Sequence, residues 1–194
     1  IITREDTAAP EFTVAPADST VECDNVPTVT DLEILLASGD LLANDACEAD
    51  DEALAYEYIG ESMTPADCDS EYTLERTWSA TDCSGNTATY TQVITIEDTT
   101  APAFTELLPS NVTVECDAVP MAATLTATDN CDAAVEVMFT EDVTDGNCPQ
   151  SYTITRTWSV EDCAGNAAVY NQIITVQDTT APIMNAEAMA ITVE

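Results

Sequence analysis

The chain of 194 residues carries 37 acidic side chains against three arginines, with no lysine and no histidine, for a formal charge of −34. That balance excludes a nucleic-acid binder, whose affinity comes from Lys and Arg neutralising phosphates. The default reading is a solubilising surface suited to salty water, and the sharper one, compatible with it, is that divalent cations neutralise part of the charge. No apolar run approaches the roughly 20 residues of a membrane helix.

The chain is organised by an internal duplication. Tyr72 to Pro102 (YTLERTWSATDCSGNTATYTQVITIEDTTAP) and Tyr152 to Pro182 (YTITRTWSVEDCAGNAAVYNQIITVQDTTAP) are identical at 20 of 31 aligned positions without a gap. Trp78 and Trp158, like Cys83 and Cys163, stand 80 residues apart. A fixed period of this size marks an array of like modules.

Taken in order, residues 1–5 align with the end of the strand before each linker and read as the last strand of a preceding repeat. Residues 6–97 form repeat 1 and residues 98–177 repeat 2. Residues 178–194 restart the pattern as a linker and the first strand of a following repeat, with Ile191 and Val193 matching Val112 and Val114. An alternative is that terminal strands are exchanged between subunits, as in donor-strand fibres. Repeat 1 is lengthened by insertions: Cys23 to Cys47 spans 24 positions where Cys116 to Cys131 spans 15. The first insertion predicts a short helix at 31–38, with Thr30 and Glu33 as a capping box and Gly39 as C-cap. Elsewhere apolar residues alternate with polar ones in short runs broken by Pro, Asp and Gly, the pattern of strands with one buried face. The fold class is therefore all-β: tandem Ig-like β-sandwiches of about seven antiparallel strands each, stapled by disulfides. Arg76 and Arg156 precede the tryptophans by two residues and share their side of the strand, as buried guanidiniums paired with carboxylates.

The pattern DTTAP…VTVECD…ATDNCD…YTITRTWSVEDCAGNAAVYNQIITVQDTTAP resembles the HYR-like, immunoglobulin-type repeats of very large cell-surface proteins of Bacteroidota. These include adhesins linked to gliding motility and exported by the type IX system. The resemblance covers essentially the whole chain. It implies a seven-stranded sandwich, a surface location and service as a tandem stalk or adhesive fibre.

Eight cysteines divide four and four, with no CxxC and no histidine to suggest zinc. Even counts in small acidic domains favour disulfides and an oxidising, extracellular setting. The absence of lysine removes Lys–Asn isopeptide cross-links as an alternative staple. In an Ig-like sandwich the B–C and F–G loops share one end and the A–B and E–F loops the other. That arrangement predicts Cys131–Cys163 and Cys116–Cys148, and by register Cys47–Cys83 and Cys23–Cys68.

Carboxylates gather where linkers should meet loops. Hard cations take six to eight oxygens from such groups, which predicts a Ca2+ site at each junction. One set is Asp98, Asp129, Asp162 and Asn166; its counterpart by register is Asp6, Asp45, Asp82 and Asn86. Asp and Asn also stabilise turns through their own backbone, which is the competing explanation. Asp-Thr-Ala at Asp6–Ala8 and Asp-Thr-Thr at Asp98–Thr100 and Asp178–Thr180 resemble the O-glycosylation sequence of Bacteroidota, with Thr7, Thr99 and Thr179 as acceptors.

No histidine is available as a base and no Gly-rich phosphate loop is present, so the chain reads as a non-enzyme. The expected function is a rigid structural or adhesive segment of an extracellular filament or cell-surface adhesin. Its partners are neighbouring repeats or identical subunits in a fibre, and surface glycans. The rival readings are a carbohydrate-binding module using Tyr56 and Tyr58, and spacer domains of a secreted hydrolase.

Overall fold

Twelve strands and one α-helix form among the residues that the computed structural model describes, 6–45, 54–148 and 150–183. The first copy supplies β1 (Glu11–Val14), β2 (Ser19–Glu22), α1 (Leu32–Ser38), β3 (Leu42–Asn44), β4 (Ala55–Pro65), β5 (Tyr72–Thr81) and β6 (Thr87–Glu97). The second supplies β7 (Ala103–Phe104), β8 (Val112–Val114), β9 (Ala127–Thr128), β10 (Met138–Asp145), β11 (Tyr152–Glu161) and β12 (Ala167–Val176). The strands that the sequence places in neighbouring repeats, at 1–5 and towards 194, and Cys47, lie outside the described residues.

Each copy builds one four-stranded sheet and one two-stranded ribbon. The sheets run β2-β6-β5-β4 and β8-β12-β11-β10; the ribbons are β1-β3 and β7-β9. The expected all-β sheets of antiparallel strands are present, with one parallel pair added in each copy. Six strands per copy are present among the described residues, and β2 pairs with β6, and β8 with β12, in parallel. The cause is a proline break. After β1 pairs with β3, Pro16 ends that ladder because it has no N–H to donate, and the chain crosses to the other sheet as β2. The crossing is pinned at three points: the Tyr90 hydroxyl donates to the Pro16 carbonyl (2.6 Å), Gln92 Nε2 to the Ala17 carbonyl (2.7 Å), and the Val93 N–H to Asp18 (2.7 Å). The second copy repeats all three with Tyr170 to Pro109, Gln172 to Ser110 and Ile173 to Asn111.

Close packing divides the described residues into two units. Unit 1 holds the chain up to Pro102 together with Thr128–Val135 and Glu161–Asn166; unit 2 holds Ala103–Ala127, Glu136–Val160 and the chain from Ala167. In unit 1, alternate residues of β5 (Leu74, Arg76, Trp78 and Ala80) all point inward and are buried. Trp78 packs on Leu35 of α1 and on Leu41, flanked by Tyr58 and Tyr90. The helix occupies Leu32–Ser38, and Gly39 closes it in the left-handed conformation at φ +78°, its N–H returning to the carbonyls of Leu35 and Leu36. Its N-cap is Asp31, without a side-chain bond, so the Thr30–Glu33 box is not what starts it. In unit 2, Ile154, Arg156, Trp158 and Val160 repeat the β5 pattern on β11. There Phe139 and Tyr170 flank the indole, whose N–H donates to the Ala123 carbonyl (3.1 Å).

The arginines beside the tryptophans are buried and paired. Arg76 Nε lies 2.7 Å from Glu61 and Arg156 Nε 2.7 Å from Glu141, each across the neighbouring strand. The first copy keeps this pair despite one extra residue, Ile59, because the ladder slips between Tyr58 and Gly60 and returns to register at Glu61. Arg76 also donates to the Pro27 carbonyl (2.6 Å), and Arg156 to that of Pro120 (2.8 Å). Removing one member of such a pair leaves the other charge buried. Glu141 itself is exposed, so Glu141→Ala is expected to destabilise the protein by about 1–3 kcal/mol in urea unfolding, the cost of leaving the buried Arg156 donor unmet. A substitution of exposed Glu136 is expected to stay within about 0.5 kcal/mol.

At the start of unit 2, Glu106 ties the β7–β9 ribbon by accepting from the Thr126 N–H (2.6 Å) and the Thr126 hydroxyl (2.7 Å). Those bonds hold its carboxyl below the ordinary glutamate value. A carboxyl depressed in the folded state contributes stability above the unfolded value and loses it as pH falls through the folded one. The acid limb of a stability-versus-pH curve is therefore expected to flatten in Glu106→Gln, read by thermal melts between neutral and acid pH.

Candidate metal centres

Two groups of aspartates converge in unit 1, each assembled from a linker, a loop and a hairpin turn. The hairpin turns are the duplicated Asp-Cys-x-Gly-Asn runs. Gly85 and Gly165 take φ of +90° and +92°, which a side chain would strain, and close the loops Asp82–Asn86 and Asp162–Asn166. Within each turn the aspartate accepts from the backbone N–H of the asparagine at 2.8 Å, while the asparagine Nδ2 donates to its other oxygen at 2.7 and 2.9 Å.

In the second group the carboxylate oxygens of Asp98, Asp129 and Asp162 lie within 4.8 Å of one another. Asp98 comes from the linker and accepts from the Thr100 N–H (3.1 Å). Asp129 comes from the loop after β9 and accepts from the N–H groups of Cys131 (2.8 Å) and Asp132 (3.0 Å). These bonds use only one oxygen of each residue. Oδ2 of Asp98 and Oδ2 of Asp129 are buried and have no hydrogen-bond partner among the described residues. Asp98 is 4% exposed and Asp162 6%. Burial, together with the charges of Asp129, Asp162 and Glu22, pushes the Asp98 carboxyl above its ordinary value in spite of the Thr100 bond.

The first group is its counterpart. Oxygens of Asp6, Asp45 and Asp82 also lie within 4.8 Å of one another, and Asp6 Oδ2 is buried without a partner among the described residues. Asp6 makes the same turn as Asp98, accepting from the Ala8 N–H (3.0 Å). Asp82 differs from Asp98 electrostatically. Burial acts to raise its carboxyl, but the side chain and backbone of Asn86 and the N–H groups of Ser84 and Gly85 outweigh it and hold the group below its ordinary value.

The structure thus brings together all six aspartates that the sequence singles out. Asn86 and Asn166 sit beside them as donors: Nδ2 of Asn86 reaches the Asp6 carbonyl (3.2 Å) and Nδ2 of Asn166 that of Asp98 (3.0 Å). They lock linker to turn and set the aspartate orientation. One residue that sequence reasoning missed is Glu22, whose carboxylate lies within 4.8 Å of a ligand atom of Asp98. Its signal was the recurring Glu-Cys step at Glu22-Cys23 and Glu115-Cys116. Glu22 also accepts from the N–H (3.3 Å) and hydroxyl of Thr99, and Glu115 likewise from Thr179 (N–H, 3.1 Å). Thr7, Thr99 and Thr179, the threonines expected to accept glycans, are all exposed.

Beside the second group lie two disulfides that the sequence paired differently. The structure joins Cys23 to Cys131 and Cys68 to Cys163, each with Cα atoms 5.8 Å apart. The expected Cys23–Cys68 and Cys131–Cys163 bonds are therefore corrected. The topology argument placed Cys131 and Cys163 at one end of a module, as they are. However, those loops, 128–135 and 161–166, pack within unit 1 around Asp98, so their thiols meet cysteines of the first copy. Cys116 and Cys148 are exposed free thiols, so the Cys116–Cys148 bond is corrected too. The Cys47–Cys83 pairing falls on Cys47, outside the described residues.

The tyrosines of the carbohydrate reading are engaged elsewhere. The Tyr56 hydroxyl accepts from the Ala43 N–H (2.9 Å), and the Tyr58 ring lies 5.7 Å from that of Trp78. Burial, then the charge of Glu61, raises the Tyr58 hydroxyl pKa.

Residues 104–176 match the family model described as a HYR-like domain with 4 cysteines. No curated protein matches the chain. Among solved structures, the human desmocollin-1 ectodomain aligns at 13% identity with a TM-score of 0.34, over 88% of this chain and 42% of that one. Domains 3–6 of protocadherin gamma B2 align at 16% identity and 0.37, over 88% and 52%. Drosophila N-cadherin EC1-4 aligns at 12% identity and 0.32, over 88% and 50%. This chain spans about half the length of these structures or less.

Proposed function

We propose that this chain is a structural, adhesive tandem-repeat segment of an extracellular filament or Bacteroidota-type surface adhesin, stiffened by Ca2+ and disulfides. Its repeats run over 6–97 and 98–177. The observation that carries the reading is the Asp98–Asp129–Asp162 group, which gathers a linker and two loops around two buried carboxylate oxygens, Oδ2 of Asp98 and of Asp129, that have no hydrogen-bond partner among the described residues. An unpaired buried charge is expensive, and a hard divalent cation offers what these oxygens lack. The donor set fits calcium: carboxylates only, no histidine, and the nearby Cys131 sulfur already committed to a disulfide. Asp6, Asp45 and Asp82 would hold a second ion, and Glu22 adds an oxygen to the other. Asn86 and Asn166 orient the ligands. Disulfides support an oxidising, extracellular setting.

The same reading includes glycans on Thr7, Thr99 and Thr179. At the latter two, attachment would replace the hydroxyl hydrogen now donated to Glu22 and Glu115. Intact-mass measurement of the native protein tests it, and a mass equal to the bare chain rejects it. For the reading as a whole, calorimetric titration is expected to give two calcium ions per chain, and a glycan array is expected to stay blank. Glycan binding without calcium uptake would favour the carbohydrate-binding rival.

A further inference from the structure

The face of the first copy that receives loops 128–135 and 161–166 is reproduced on the second copy. Cys116 follows β8 as Cys23 follows β2, and both strands hold the same parallel register, Val114 opposite Val176 and Val21 opposite Ile96. Cys148 sits in the same turn as Cys68: its carbonyl accepts from the N–H of Ser151 (2.9 Å) where that of Cys68 accepts from Glu71 (3.0 Å). Asp178 makes the turn that Asp98 makes, accepting from the Thr180 N–H at 2.9 Å. The latch from Glu115 to Thr179 repeats that from Glu22 to Thr99.

What differs is what covers these groups. Cys68 and Asp98 are buried at 5% and 4% exposure, whereas Cys148, Cys116 and Asp178 are all exposed. An open hollow lies beside Cys148, lined by Gln150, Ser151, Gln177, Asp178 and Thr179. Two thiols, one carboxylate and a vacant hollow thus stand in the register where the first copy binds a loop pair.

We infer that Cys116 and Cys148 are docking cysteines, each forming a disulfide with a following copy of this same module. The partner's loop cysteine equivalent to Cys131 bonds Cys116, and its hairpin-turn cysteine equivalent to Cys163 bonds Cys148. Every module is then stapled to its successor by two bonds, and Asp178 becomes the linker ligand of a further calcium site. That last part rests on the calcium reading above; the disulfide part does not. For each bond formed, two thiols lose two protons and two electrons to a small-molecule or protein disulfide, which is reduced to two thiols.

The test appends a copy of residues 98–177, with that copy's own equivalents of Cys116 and Cys148 changed to serine, directly after Gln177 of the full chain and refolds it with oxidised and reduced glutathione. Non-reducing peptide mapping is expected to show Cys116 joined to the appended Cys131 equivalent and Cys148 to the appended Cys163 equivalent. In the unextended chain both thiols are expected to be fully alkylated by a maleimide. Cys116 joined to Cys148, or both still alkylated in the extended chain, overturns the inference. Calcium stoichiometry is read separately: a correct map with no bound calcium keeps the staples and rejects the metal sites, while calcium without the bonds does the reverse.

Discussion

Stripping the protein with a chelator and then adding calcium to about 100 times its dissociation constant is expected to stabilise the fold by roughly 2.7 kcal/mol per site. At about 2–4 °C per kcal/mol for a chain of this length, each site is worth roughly 5–10 °C in melting temperature. The sign follows from geometry. Without a cation the Asp98 carboxyl is buried against Asp129 and Asp162, and its raised pKa marks a charged form held unfavourably. Asp129→Asn removes one of the facing charges. It is expected to raise the melting temperature of the calcium-free protein while weakening the calcium response. A chelator-independent melting temperature at low ionic strength, in wild type and variant alike, would reject the metal reading.

The second large effect comes from the cross-links. The two bonds close loops with sequence separations of 108 and 95 residues. In the chain-entropy model each restricts the unfolded state by roughly 4–5 kcal/mol. Cys23→Ser with Cys131→Ser is therefore expected to lower the melting temperature by roughly 10–20 °C, using the same conversion. Cys116→Ser is expected to leave it nearly unchanged, since that thiol is exposed and unbonded in this chain. Equal losses in both variants would contradict the pairing found here. A non-reducing peptide map showing Cys23 with Cys68 would do so directly.

Much of this was written in the repeat. Because Trp78 and Trp158, Asp82 and Asp162, and Asn86 and Asn166 share one 80-residue register, the alternation around them identifies the core strands and the two turns. The aspartate groups follow, since an Asp in a linker, a loop and a hairpin recurs in both copies. Two matters were not legible. The parallel pairing of β2 with β6 depends on where the chain crosses after Pro16, and alternation has the same period in parallel and antiparallel strands. Cysteine pairing failed for a different reason. Topology locates each cysteine at one end of its own module, but it does not say whether the nearest thiol belongs to that module or to the neighbour. Cys131 and Cys163 share an end, yet each meets a sulfur from the first copy. Burial of Asp98 under the 128–135 and 161–166 loops decides it, and that is a tertiary fact.

The connectivity of the sulfurs also changes how the chain answers a pull at its ends. Tension entering near Cys23 can leave through Cys131, so the intervening stretch, a separation of 108 residues, never becomes taut while the bond is intact. At about 3.3–3.6 Å per extended residue, roughly 350–390 Å of slack is withheld. Under mechanical load the tether stays short even if β3 to β6 unravel, and that length is released only where a reductant reaches the bond.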